Sequence, residues 1–92
     1  MQKTQIKVII SGRVQGVFYR AHTKDTADRL GIKGYVKNLS DGSVEAVFEG
    51  EQPVITQMME WCHKGPAAAK VDHVLAEKTE ASSNFETFEI RY

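Results

Sequence analysis

From Gly12 to Arg20 the chain reads Gly-Arg-Val-Gln-Gly-Val-Phe-Tyr-Arg, placing two glycines within five residues just ahead of a helical pattern. Glycine lets a backbone curl so that successive N–H groups converge, and such a nest attracts an anion. The N–H groups that open a helix have no intrahelical partner, and the helix dipole adds a positive field at that end. Arg20 stands at this junction, where its planar fork can hold two phosphate oxygens together. Phosphate capture is the chemistry these residue types suggest. No Gly-Lys-Ser/Thr follows, so this is not a Walker loop, and the spacing of Gly12 and Gly16 does not fit the dinucleotide fingerprint. The same residues are met by a tight turn that carries a surface arginine.

The other chemically capable residues are scattered. His22 lies two positions past Arg20 without a nearby carboxylate in sequence to orient it as a base. His63 and His73 fall on different predicted elements and lack metal-ligand spacing with another His, Cys or Asp, so neither a metal nor a cofactor is expected. Cys62 sits on the apolar stripe of a helix and reads as buried packing, with Met58, Met59 and Trp61 as core or helix surface. Asp41 belongs to an Asp-Gly turn, a base beside Asn38 being its functional alternative. Asn38 ends a strand, where its side chain can brace a hairpin through backbone hydrogen bonds.

The elements that position these residues follow from periodicity. Ile6, Val8 and Ile10 alternate with Ile9 added, which predicts a first strand buried on both faces. A helix is predicted from about Ala21 to Leu30, with Ala27 and Leu30 inward, and Gly31 as its stop. Ile32 to Asn38 forms a second strand, Asp41-Gly42 a turn, and Val44, Ala46 and Phe48 mark a third strand. Pro53 suits the first turn of a second helix whose inward stripe is Val54, Met58, Trp61 and Cys62, ended by Gly65-Pro66. Val71 to Glu77 and Phe85 to Tyr92 complete five strands. This is an α+β chain of the split βαβ, ferredoxin-like kind, βαββαβ. An antiparallel sheet carries two helices on one face and an extra C-terminal strand.

At 92 residues with 41% hydrophobic content, the chain is expected to fold as one domain, residues 1–92. No apolar run is long enough for a membrane helix, and Met1-Gln2-Lys3-Thr4 lacks the apolar core of a secretory signal. A single cysteine excludes an internal disulfide, which leaves the cytoplasm as the expected compartment. Residues 1–40 hold eight basic and two acidic residues, and residues 41–92 hold four and ten. That asymmetry suggests that the first half meets an anion, unless interleaved strands mix the charges.

Ile10-Ser11-Gly12-Arg13-Val14-Gln15-Gly16-Val17, followed by an aromatic and Arg20, resembles the first signature of the acylphosphatase family. Gly34-Tyr35-Val36-Lys37-Asn38, Asp41-Gly42-Ser43-Val44-Glu45 and Gly50 are similar to the second, and Gly65-Pro66 with Ala69 and Val71 to a further family segment. Tyr19 departs from the pattern, which usually has Phe before the arginine, and its hydroxyl needs a partner if buried. The resemblance implies hydrolysis of the carboxyl–phosphate anhydride of small acyl phosphates. Arg20 and the backbone amides of Gln15, Gly16, Val17, Phe18, Tyr19 and Arg20 would hold the phosphate, and Asn38 would orient the attacking water. An amide side chain suits that task, because it can grip water without taking its proton.

The resemblance also implies inorganic phosphate as product and competitor, with neither nucleic acid nor membrane as partner; small size favours a monomer. The alternative is a non-catalytic ferredoxin-like module for nucleic acid or a protein partner. Lys33-Gly34-Tyr35-Val36-Lys37 superficially matches an RNA-recognition motif. However, strand one offers no aromatic to stack a base, and net charge is zero.

Overall fold

Alternation of apolar residues at Ile6, Val8 and Ile10 produces an interior strand of the sheet. The computed structural model describes residues 3–81 and 84–92, so Met1 and Gln2 of the N-terminal reading lie outside the described residues. Strand β1 is Lys3–Arg13, helix α1 Tyr19–Leu30, β2 Lys33–Asn38, β3 Val44–Glu51, α2 Gln52–Lys64, β4 Lys70–Thr79 and β5 Phe88–Arg91. The strand order is β4-β1-β3-β2-β5. Antiparallel pairing joins β1 to β3 and β4, and β2 to β3, which is the expected split βαβ arrangement.

The fifth strand is the extra C-terminal strand expected from the sequence, which left its place in the sheet open. It lies parallel to β2 at the edge, so the sheet is mixed. The reason is directional. β4 runs opposite to β1, and β1 and β2 both run opposite to β3. A chain that reverses after β4 therefore runs along β2.

One face of the sheet carries the core. Ile6, Val8, Ile10, Val36, Val44, Ala46 and Phe48 meet Tyr19 and Ala27 of α1 and Ile55, Met58 and Cys62 of α2. The α2 stripe differs in detail from the sequence reading, since Ile55 is buried whereas Val54 and Trp61 are half-buried. In α1 the buried positions are Tyr19, Thr23, Thr26 and Ala27, with Leu30 only half-buried. The two threonine hydroxyls are tolerated inside because each donates to the carbonyl four residues back, Thr23 to Tyr19 at 2.7 Å and Thr26 to His22 at 2.9 Å.

Gly34 makes room for the aromatic layer. It pairs with Phe48 on one side and Phe88 on the other, and those two rings stack across it at 5.7 Å between centroids. A Cβ on Gly34 would stand 1.8 Å from the Val47 carbonyl oxygen, and its φ of +138° is one that side chains rarely adopt.

Among the described residues no helix covers the second face, so the prediction of a first strand buried on both sides is wrong. Lys7 is exposed and Ile9 half-buried there. Glu45 lies at the centre of this face. The Tyr35 phenol donates to it at 2.8 Å, and Lys7 and Lys37 each approach to 3.5 Å. Lys7 and Lys37 of the first half thus face a carboxylate of the second, so interleaved strands mix the charges of the two halves on this face.

Candidate active site

Strand β1 delivers the glycine loop through an irregularity. Its register against β4 shifts between Ser11 and Gly12. Gly12 is needed at this bulge because a Cβ would come within 2.2 Å of the Lys70 carbonyl oxygen. Val14 then anchors the loop in the core at 1% exposure. Phe18 closes the loop as the N-cap of α1, in the left-handed region at φ 63° and ψ 24°. A non-glycine residue in that conformation stores strain, which structures retain mainly at functional sites. Among the described residues no side chain caps the helix, and its first turn holds no acidic residue. The opening N–H groups and the positive end of the dipole therefore stay uncompensated.

Two elements converge on these amides. Arg20 lies in the first turn of α1, half-buried, and Asn38 is the last residue of β2. Both line one cleft of about 260 Å³, together with Val14, Gly16, Phe18, Tyr19, Ala21, Ile90 and Tyr92. The Arg20 guanidinium carbon stands 4.9 Å from the centroid of the Tyr92 ring, a cation–π contact that holds the fork at the cleft wall. Among the described residues no carboxylate forms an ion pair with Arg20. Among the described residues the buried Asn38 Oδ1 atom has no hydrogen-bond partner, a costly state unless a bound molecule supplies a donor.

Of the predicted amide donors, Gly16, Phe18, Tyr19 and Arg20 belong to residues of the cleft wall, while Gln15 and Val17 sit in the same loop without lining it. The Gln15 side chain turns toward the β2–β3 connection, where Nε2 donates to the carbonyl oxygens of Leu39 and Ser43, both at 2.8 Å. Sequence reasoning missed this role, and missed Ile90 and Tyr92 as well. A glutamine carrying two amide hydrogens beside a turn offers a faint signal for the first. Nothing local marks the other two, because only the parallel docking of β5 brings them to the cleft.

The remaining candidates fall elsewhere. His22 faces a separate groove with Asp25, Thr26, Asp28, Arg29 and Trp61. His63 and His73 are exposed on α2 and β4. Asp41 accepts hydrogen bonds from the Ser43 N–H at 3.0 Å and from the Ser43 hydroxyl, which hold its carboxyl below the usual range. It serves the turn and does not line the cleft. Burial pushes the Cys62 thiol up to about 12 and raises the Tyr19 phenol far above its ordinary value, so Tyr19 remains a donor. Among the described residues, no three His, Cys, Asp or Glu side chains gather as metal ligands would.

The family model for acylphosphatase matches residues 6–90. The chain belongs to the acylphosphatase family. An acylphosphatase of Rubrobacter xylanophilus is 49% identical over 98% of this chain and 82% of its own length. Two solved acylphosphatases share the architecture. That of Coxiella burnetii superposes with a TM-score of 0.92 at 40% identity, over 97% of this chain and 93% of its own. That of Bacillus subtilis gives 0.93 at 31% identity, over 97% and 99%. Membership in the acylphosphatase family covers the glycine loop, the Arg20 junction and the Asn38 strand end within one matched span. Among the described residues no helix is long and apolar enough to cross a membrane.

Proposed function

We propose that this chain hydrolyses small acyl phosphates to a carboxylate and inorganic phosphate, with residues 1–92 working as one catalytic unit. Arg20 and the loop amides from Gln15 to Arg20 hold the phosphoryl oxygens. Asn38 orients a water through Oδ1. The water oxygen attacks phosphorus in line, the bond to the acyl oxygen breaks, and the carboxylate leaves with the electron pair. A phosphate oxygen accepts the proton. The carboxylate is a stable leaving group, so positioning and charge stabilisation suffice, and the proposal requires no metal or covalent intermediate.

The observation that carries this reading is the buried Asn38 Oδ1, without a partner among the described residues, in the same cleft as Arg20. A water donor satisfies that oxygen, and the arginine and amide cradle fixes the phosphate beside it. The test is turnover of benzoyl phosphate in chelator, by wild type and by Asn38→Ala. Chelator should leave the rate intact, inorganic phosphate should compete, and the variant should lose about 10²–10³ in kcat with little change in KM. Loss of wild-type turnover in chelator, restored by a divalent ion, would overturn the metal-free mechanism. A change confined to KM would make Asn38 a binding residue. A single cysteine held in the core suits a reducing cytoplasm, where we place the protein as a monomer.

A further inference from the structure

We infer that Gln15 is a positioning residue for this reaction, its side chain locking the phosphate loop to the turn that carries Asn38. This inference rests on the catalytic reading above and adds a side chain that acts through Asn38 without touching substrate, separate from the Gln15 backbone amide.

The β2–β3 connection closes on itself directly after Asn38. The register ends with Asn38 opposite Val44. Beyond it, the Leu39 N–H donates to the Ser43 carbonyl oxygen at 2.9 Å, and the Gly42 N–H to the Leu39 carbonyl oxygen at 3.2 Å. Those same two carbonyls receive Gln15 Nε2 at 2.8 Å each. Two acceptors at one nitrogen match the two hydrogens of a primary amide. The side chain thus grips both strands of the hairpin mouth, one residue beyond the Asn38 and Val44 pair. Its own backbone belongs to the loop whose next residues, Gly16 and Phe18, form the cleft wall.

Sheet order makes such a tie necessary. β1 carries the loop and β2 carries Asn38, but β3 lies between them, so no ladder hydrogen bond links the two strands directly. Hydrolysis needs water and phosphorus held in line, and a displacement of about 1 Å can cost about 100-fold in rate. The Gln15 amide is a direct bond between the two halves of that geometry. A glutamate there would place a carboxylate against two carbonyl oxygens, and would recover one donor only when protonated.

The experiment is a double-mutant cycle on acyl phosphate turnover, with thermal melting followed in parallel. Gln15→Ala should lower kcat by about 10- to 100-fold while inhibition by inorganic phosphate changes little. In an Asn38→Ala background the same substitution should add almost nothing, because the group it positions is gone. Gln15→Glu should regain kcat, relative to wild type, as pH falls toward the carboxyl range. Should Gln15→Ala melt below the assay temperature, Gln15→Met keeps the length without the donors and carries the same comparison. Wild-type kcat in a folded Gln15→Ala chain, or a loss that adds fully to that of Asn38→Ala, overturns the inference. If Asn38→Ala itself turns over normally, the catalytic reading fails instead, so the two failures are distinct.

Discussion

The Tyr19 hydroxyl donates to the Cys62 carbonyl oxygen at 2.8 Å, inside the core and across the interface of the two helices. Cys62 lies in the last turn of α2, where carbonyls have no intrahelical N–H to receive. Tyr19 therefore caps one helix from the first residue of the other, and its ring lies 5.2 Å from that of Trp61. The hydroxyl that sets Tyr19 apart from the family's usual phenylalanine has a structural use. It fixes the residue next to Arg20.

Tyr19→Phe should destabilise the protein by about 1–3 kcal/mol, because it leaves a buried carbonyl without a donor. Thermal or urea unfolding measures this. Turnover of a folded sample should stay within a few-fold of wild type, since the ring and its packing against Trp61 are kept. An unchanged midpoint would mean that the Cys62 carbonyl finds another donor.

Arg20→Lys should remove about 10²–10³ of kcat while the fold persists. Charge is conserved, but a compact ammonium on a flexible stem does not hold two phosphate oxygens in one plane. Turnover paired with thermal melting checks it. Near-normal turnover would reduce Arg20 to a simple electrostatic attractor.

Acid should weaken the open face of the sheet through Glu45. Burial alone would raise its pKa, but the Tyr35 hydrogen bond and the charges of Lys7 and Lys37 outweigh burial and hold it below the ordinary value. A carboxyl depressed in the folded state stabilises above its unfolded pKa, near about 4.3, and that contribution is lost as pH falls through the folded value. Glu45→Gln should therefore lower the midpoint of unfolding at neutral pH and flatten its decline below about pH 4. Parallel curves for the two proteins between pH 2 and pH 7, both rough endpoints around these values, would exclude Glu45 from acid sensitivity.

Gly34→Ala should cost at least about 3 kcal/mol, from a left-handed φ together with a collision against strand β3. Chemical denaturation gives the value. A loss below about 1 kcal/mol would show that β2 can shift without disturbing the Phe48 and Phe88 stack.

What the sequence disclosed was mostly local. Gly31 stops α1 in the left-handed conformation, and the Asp41-Gly42 turn links β2 to β3, because both depend on neighbouring residues alone. Arg20 and Asn38 were legible through long motifs, although nothing local showed that they share one cleft. Tyr19 begins α1 two residues before the predicted start, since the loop ends on the unusual φ of Phe18. The apolar alternation of β1 fades after Ile10, yet the strand runs to Arg13, because pairing with β4 continues through the bulge at Gly12. The docking of β5 beside β2, which brings Ile90 and Tyr92 to the site, depends on a sheet edge that no local pattern encodes.

The place of β1 between β4 and β3 has a kinetic consequence. It is the first strand in the chain, yet it pairs only with β3 and β4, so that Lys3 meets Glu51 and Gln5 meets Thr79. Partners so distant in sequence close large loops before any ladder rewards them, and folds dominated by such contacts reach the native state slowly. The glycine loop and the Asn38 strand end stand on opposite sides of β3 and acquire their mutual geometry only once β3 has inserted. Recovery of turnover during refolding is thus a clock for assembly of the sheet, and it should lag behind the helical signal of α1 and α2.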